Sequence, residues 1–332
     1  VVVVVASAGN PLGSERVGPP GISELRRVPT IMRAIRIDRF GGHDVLEVTD
    51  TPEPGHGAGD VLIRTIATSL NPVDDKTRAG AINPDGLRLP LTLGWDLAGI
   101  VLDGGSSDFR PGDRVIAMSH QLGTGTGTWA DVVALPAGAV APAPRAVSLV
   151  EAATLPLPGL TALQTLDWLT LSAGERLLVT GAAGAVGGLA LQIAHARGVH
   201  VDALVSRDAH LDFARARGAE LATTDREALT SGGYDAVFDT FGAFVTEAVK
   251  DGGRYASIAT QAGPVPDLSA RGVRTTVNQV HEDGAGLAGL TELVERGALR
   301  LRVDSVFGLH EIRAAHARFA EGGLAGKVVV TF

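Results

Sequence analysis

Residues 179–188 read VTGAAGAVGG, entered from the apolar run RLLV (176–179) and left through AVGGLALQIAHARG (185–198), which has helical spacing up to Gly198. A buried strand that runs through a glycine turn into a helix is the setting of a dinucleotide site. Gly181 opens the turn, and Ala182, Gly184 and Gly187 take the three spaced positions of the G-x-G-x-x-G pattern. Gly184 lets backbone N–H groups, with those of Ala185 and Val186 at the helix start, approach a pyrophosphate. Gly187 lets the helix pack close to the sheet. Downstream the rhythm continues with VHVDALVS (199–206), AHLDFARARG (209–218), YDAVFDTFG (234–242) and GGRYASIAT (252–260). Strand–helix alternation of this kind predicts a doubly wound parallel sheet.

The end of the second strand selects between the two nicotinamide dinucleotides. An acid about 20 residues after the turn would grip the adenosine ribose. Here the position falls on Ser206, followed by Arg207. A hydroxyl and a forked cation suit a 2′-phosphate, so NADPH is the expected cofactor. Asp202 lies mid-strand, too early to read the ribose. Thr240, Ile258 and Ala259 end the next two strands, at the edge where cofactor contacts gather.

Before this region, short strands alternate with turns from Met32 to about Ala141. They are MRAIRIDRF (32–40), VLEVTD (45–50), DVLIRTIATSL (60–70), DLAGIVLDGG (96–105), DRVIAM (113–118) and WADVVAL (129–135). PEPGHGAGD (52–60) and FRPGD (109–113) punctuate them, which predicts a β-rich, barrel-like unit. VSLVEAATLPLPGLTALQTLDWL (147–169) is helical in spacing but carries Pro156 and Pro158. The chain closes with a helix over GLHEIRAAHARFAEGG (308–323) and a strand over GKVVVTF (326–332). Residues 1–31 are unrelated in pattern and are expected to be an N-terminal extension without order.

Composition narrows the function. The net charge of −8 gives no footprint for nucleic acid. There is no cysteine, which removes disulfides, thiolate nucleophiles and cysteine-ligated zinc together. No apolar run reaches the roughly 18 residues needed to span a bilayer, so a cytoplasmic location is expected and a membrane partner is not. Only three lysines occur, Lys76, Lys250 and Lys327, which makes each worth inspecting.

Six segments together resemble the medium-chain dehydrogenase/reductase superfamily, in its zinc-free quinone reductase and enone reductase branch. They are NPVDDKTRAG (71–80), GWDLAG (94–99), FRPGDRV (109–115), EAATLPLPGLTA (151–162), TGAAGAVGG (180–188) and GKVVV (326–330). The resemblance runs from Met32 to Phe332. It implies a GroES-like catalytic domain over 32–152 and 296–332, interrupted by a Rossmann domain over 153–295, with the active site in the cleft between them. In the zinc alcohol dehydrogenases of that superfamily, a cysteine, a histidine and a later cysteine or aspartate hold the catalytic metal. Here Asn71 falls near the first of these positions and Trp95 stands in place of the histidine, so no metal site is expected. His120 stands alone where a cysteine-rich lobe would lie.

Without a metal, hydrogen-bond donors must stabilise the developing oxyanion. The resemblance places Asn71 and Lys76 near the nicotinamide, where both are expected to be catalytic and to polarise the substrate oxygen, Thr161 on the helix facing the cofactor, and Trp95 at the substrate cleft as an apolar wall or a packing residue. Asp96 is expected to be an anchor rather than an acid, and Tyr255 is a proton-donor candidate without a motif. The expected activity is NADPH-dependent reduction of quinones or α,β-unsaturated carbonyls. The alternatives are reduction of ketones, aldehydes or enoyl thioesters, or NADPH binding without catalysis. VRTTVNQV (273–280) is expected at a sheet edge, where it could pair two copies into a homodimer.

Overall fold

A computed structural model describes residues 30–84, 87–230 and 233–332. Most of the expected extension therefore lies outside the described residues. Ile31 already belongs to β1 (Ile31–Ile37), one residue before the anticipated start. β1 pairs antiparallel with β2 (Glu47–Pro52) and with the short β4 (Leu91–Thr92), forming a three-stranded sheet.

A second sheet is organised around β3 (Asp60–Ser69), the longest strand described. β5 (Asp96–Asp103) runs antiparallel along one side of it, followed by β6 (Arg114–Met118) and β8 (Val140–Pro142). β7 (Val132–Pro136) takes the start of its other side. The rest of that side is taken by β16 (Lys327–Thr331), which pairs parallel with β15 (Val303–Gly308). The carboxyl-terminal strand thus returns to a sheet begun some 260 residues earlier and brings Lys327 against the end of β3.

The third sheet holds β9 (Arg176–Thr180), β10 (His200–Leu204), β11 (Ala219–Thr223), β12 (Tyr234–Asp239), β13 (Val249–Ser257) and β14 (Arg274–Val277). All its ladders are parallel, in the order β11-β10-β9-β12-β13-β14. The order reverses between β9 and β12. At such a switch point the connections leave in opposite directions and open a crevice at the carboxyl ends of the strands. β14 ends the sheet, as the sequence anticipates for VRTTVNQV.

Nine α-helices connect the described strands: α1 (Pro72–Arg78), α2 (Gln121–Thr124), α3 (Leu149–Ala152), α4 (Pro156–Leu169), α5 (Ala185–Ala196), α6 (Leu211–Arg215), α7 (Glu227–Thr230), α8 (Gly284–Glu295) and α9 (Ile312–Glu321). The single helical pattern over 147–169 splits into α3 and α4. Pro156 opens α4 and Pro158 sits in its first turn, where no backbone N–H is needed. α4 packs on α5 and α8, and its buried Leu160 and Leu166 join the same core as Leu177, Val179 and Ile193 of the parallel sheet and α5. Ile31–Phe332 packs as one compact unit. No helix among the described residues is long and apolar enough to cross a membrane.

Candidate active site

At the switch point, β9 ends in Thr180 and β12 ends in Asp239, side by side in the ladder. Gly181 then adopts φ +63°, a region that L side chains avoid. A Cβ on Gly187 would meet Gly181 O at 2.5 Å and Ala182 Cα at 2.8 Å, so only glycine lets α5 press this closely on the turn. The first N–H groups of α5, at Ala185, Val186 and Gly187, have no acceptor within the helix. Gly184 and Ala185 are exposed there. An exposed, positively polarised helix start beside a tight turn fits a dinucleotide pyrophosphate. Ala182 is buried, with its N–H on Leu204 O, and contributes to shape alone.

The neighbouring turn is built by one carboxylate. Asp239 accepts from Thr180 Oγ1 (2.5 Å), Tyr255 Oη (2.7 Å) and the N–H groups of Phe241, Gly242, Ala243 and Phe244 (2.8–3.1 Å). Burial works to raise its pKa, but these donors outweigh it and hold the group below the usual carboxylate range. Thr240 Oγ1 donates to Thr180 O at 2.7 Å and fills the space where Gly181 lacks a side chain. Tyr255 is fully buried; burial first, and Asp239 second, push its phenol far up. Its proton is committed to Asp239. Ile258 N–H donates to Asp239 O at 3.2 Å, and Ala259 N–H to Ser257 Oγ at 3.1 Å.

Ser206 and Arg207 lie exposed just past β10. No acid pairs with the Arg207 side chain among the described residues. Asp202 is buried mid-strand and accepts from Tyr234 Oη (2.7 Å), Arg176 Nη2 (2.9 Å) and Leu221 N (3.0 Å), so it belongs to the sheet. Asp208 accepts from Thr224 Oγ1 at 3.0 Å.

On the other side, Asn71 caps α1 and is buried. Its Nδ2 donates to Asp96 Oδ2 (2.8 Å) and Ser69 O (3.3 Å), while its Oδ1 accepts from Lys327 Nζ. Asp96 also accepts from Ser69 Oγ (2.5 Å) and from Leu157 N at the start of α4 (2.6 Å). Lys327 Nζ donates to Leu70 O (2.5 Å) and stands 3.6 Å from Asp96 Oδ2. Both amide atoms of Asn71 are therefore spent inside the protein. Burial pushes Lys327 down and Asp74 up, the latter against the Asn71 N–H bond it accepts at 2.8 Å. Sequence reasoning singled out Lys327 only as one of three lysines and missed its partners, because residues 71, 96 and 327 meet only through the strand order.

Lys76 emerges from the last turn of α1 and donates to Gln261 Oε1 at 3.0 Å, on the segment after β13. It does not pair with its acidic neighbours. Asp74 faces Asn71, and Asp75 accepts from Arg78 at 2.6 Å and stands 3.5 Å from the buried His316 Nδ1. Partial burial lowers the Lys76 pKa. Thr161 is nearly buried and donates to Leu157 O at 2.7 Å. Trp95 is 4% exposed and packs in the core, with its ring centroid 5.1 Å from that of His120.

The donor set does not fit a catalytic zinc. The position-equivalent residues offer an amide and an indole, and the adjoining carboxyl groups are already engaged, Asp96 by an ammonium and Asp74 by the Asn71 N–H. His43, Asp75 and His316 each bring one ligand-type atom within 4.8 Å of the others, but Arg78 supplies the positive charge to Asp75.

Residues 57–145 match the family described as alcohol dehydrogenase GroES-like domain, and residues 205–330 match zinc-binding dehydrogenase. The 2-methylene-furan-3-one reductase of Solanum lycopersicum is 31% identical over 318 residues, covering 91% of this chain and 80% of that protein. The chloroplastic NADPH-dependent alkenal/one oxidoreductase of Arabidopsis thaliana gives the same identity and coverage. The solved quinone oxidoreductase of Coxiella burnetii superposes with a TM-score of 0.82 at 30% identity, covering 91% of this chain and all of that one. With its glycine turn, switch-point sheet and returning carboxyl-terminal strand, this chain belongs to the medium-chain dehydrogenase/reductase superfamily and is an oxidoreductase.

Proposed function

We propose that this oxidoreductase uses NADPH to reduce quinones or α,β-unsaturated carbonyl compounds, and that Lys76 is the group that polarises the substrate oxygen. The observation that carries the reading is the half-buried Lys76 ammonium, which among the described residues pairs with no carboxylate and donates to a neutral amide, Gln261. A cation so placed can exchange one weak partner for a carbonyl oxygen that gains charge.

The turn Gly181–Gly187, with Thr240, Ile258, Ala259 and Thr161, would hold the dinucleotide, and Ser206 with Arg207 would face its 2′-phosphate. When bound, the reduced nicotinamide supplies a hydride to the electrophilic carbon. Lys76 donates a hydrogen bond to the oxygen as it becomes an enolate or phenolate. Asn71 acts at one remove: its amide locks α1 to Asp96 and Lys327, which fixes the direction in which Lys76 leaves the helix. Water delivers the final proton, since the Tyr255 phenol is buried on Asp239. Trp95 backs the cleft by packing behind it.

The same reading divides the chain into a catalytic part, 32–152 with 296–332, and a dinucleotide part, 153–295, following the separate sheets. It includes a homodimer joined at the exposed edge strand β14, and a cytoplasmic location, where reduced pyridine nucleotide is at hand. The deciding experiment follows NADPH oxidation with 1,4-benzoquinone and with a simple enone in chelator-treated enzyme, and analyses the enone product. Reduction of C=C with the carbonyl retained supports the reading. Loss of activity on chelation, a preference for NADH, or an alcohol as product overturns it.

A further inference from the structure

A shallow cleft opens between α5, the end of α6 and the segment Arg300–Arg302 that leads into β15. Its lining holds three arginines, Arg217, Arg300 and Arg302, around Phe213. The Arg302 guanidinium carbon lies 3.8 Å from the Phe213 ring centroid and that of Arg217 lies 3.9 Å from it, so two cations share one aromatic ring. Arg302 also donates to Ala183 O at 2.7 Å, within the glycine turn. Arg300 is fixed through its main-chain N–H, on Gln192 Oε1 at 2.8 Å, and its side chain is exposed.

Among the described residues no carboxylate pairs with any of the three. Burial, and then the nearby Arg300, lower the pKa of Arg217; burial, and then Arg217, bring Arg302 down to about 10. Each neighbour that acts on these groups is another cation. Three like charges held together on fixed main chain repel one another, and a bound anion is what turns that repulsion into attraction.

The cleft borders the dinucleotide turn, since Gly184, Ala185 and Gly188 also line it, but the arginines extend the positive surface beyond the turn. Gln192 lies two turns along α5 from Gly184, about 12 Å of helix rise. Arg217 lies past the carboxyl-terminal end of α6, away from the strand ends that carry Ser206 and Arg207.

We propose that Arg217, Arg300 and Arg302 form a second anion site that takes a compact phosphate-bearing polyanion, and that its occupancy is felt at the dinucleotide turn through the Arg302–Ala183 bond. The charge of the site calls for a ligand with at least two negative charges, and forked guanidinium donors match phosphoryl oxygens. A ligand that draws Arg302 off Ala183 O alters the turn that presents the helix start. By linkage, the ligand and the cofactor then change each other's affinity by the same factor.

The test is calorimetric titration of the full chain with pyrophosphate, with citrate and with inorganic phosphate at constant ionic strength, repeated in Arg300→Gln and in Arg217→Gln/Arg300→Gln. Arg300 is exposed, so the single variant keeps the comparison valid even if the double variant unfolds. Saturable pyrophosphate binding, tighter than citrate and weakened about tenfold or more in Arg300→Gln, is the expected result. The NADPH affinity measured without pyrophosphate stays within about twofold of the parent and shifts severalfold when pyrophosphate saturates. Absence of saturable binding, equal binding in the variants, or displacement by 2′,5′-ADP with no effect of Arg300→Gln overturns the site; the last would mean that the anion sits in the cofactor pocket. An NADPH affinity indifferent to saturating pyrophosphate overturns the coupling. Neither result depends on which substrate the enzyme reduces.

Discussion

Lys327 Nζ stands 3.6 Å from the buried Asp96 carboxylate, and Asn71 bridges the two by accepting from one and donating to the other. This trio ties the last strand, the start of α1 and the start of α4 at a single point. Removing the ammonium leaves Asp96, Asn71 Oδ1 and Leu70 O short of a donor in a dry site. Lys327→Met should destabilise by about 3–5 kcal/mol, read as a lower urea midpoint. A change under about 1 kcal/mol would show that the ion pair carries little of the fold.

Lys76→Met should lower kcat by about 100-fold with little change in the affinity for NADPH, the loss typical of one oxyanion donor. Lys76→Arg should recover part of the rate, since it keeps a charged donor. Gln261→Ala should affect rate far less. Stopped-flow single turnovers separate the chemical step from release. An unchanged single-turnover rate in Lys76→Met would remove the residue from the mechanism.

Arg207→Ala should raise KM for NADPH by about 10-fold or more and leave KM for NADH nearly unchanged, because the lost contact is to the 2′-phosphate alone. Steady-state kinetics with both cofactors measure this directly. Equal effects on both would mean that Arg207 acts on the turn and not on the phosphate.

Asp74 gives stability a pH dependence whose sign follows from burial. Its folded pKa is raised to about 8, so the folded state keeps a proton that the unfolded chain loses near pH 4. Stability must therefore fall as pH rises from about 4 to about 8. Asp74→Asn keeps an acceptor for the Asn71 N–H but has no proton to lose. Its urea midpoint should change less across that window than the parent's, and exceed it at pH 8. Parallel curves would contradict a raised Asp74.

Tyr255→Phe removes a donor from buried Asp239, at a cost of about 1–3 kcal/mol, and should leave the pH profile of kcat in place. A shifted or flattened profile would return Tyr255 to the chemistry as a proton donor.

The glycine turn and the alternating strands made the parallel sheet legible, because spacing encodes both directly. Gly187 behaves as its motif position demands, with main chain filling the space where a Cβ would go. Asn71 is different. Its place in a turn before Pro72 could be read, but the two amide contacts that immobilise it come from residues 25 and 256 positions away. Such meetings depend on register and strand order, which local pattern does not carry. Trp95 illustrates the same limit, since neither its neighbours in sequence nor its aromatic character says which way the indole turns. The arginine cleft was hidden for a related reason: Arg217 and Arg302 are unremarkable apart and acquire meaning only on either side of Phe213's ring.

Asp239 reads the loop after β12 almost wholly through its backbone, with four of its six donors being main-chain N–H groups. The Phe241 side chain, 66% exposed, is therefore exempt from holding the loop's shape. Drift at Phe241 can remodel the rim of the crevice while the curve of the chain stays where a single carboxylate has put it.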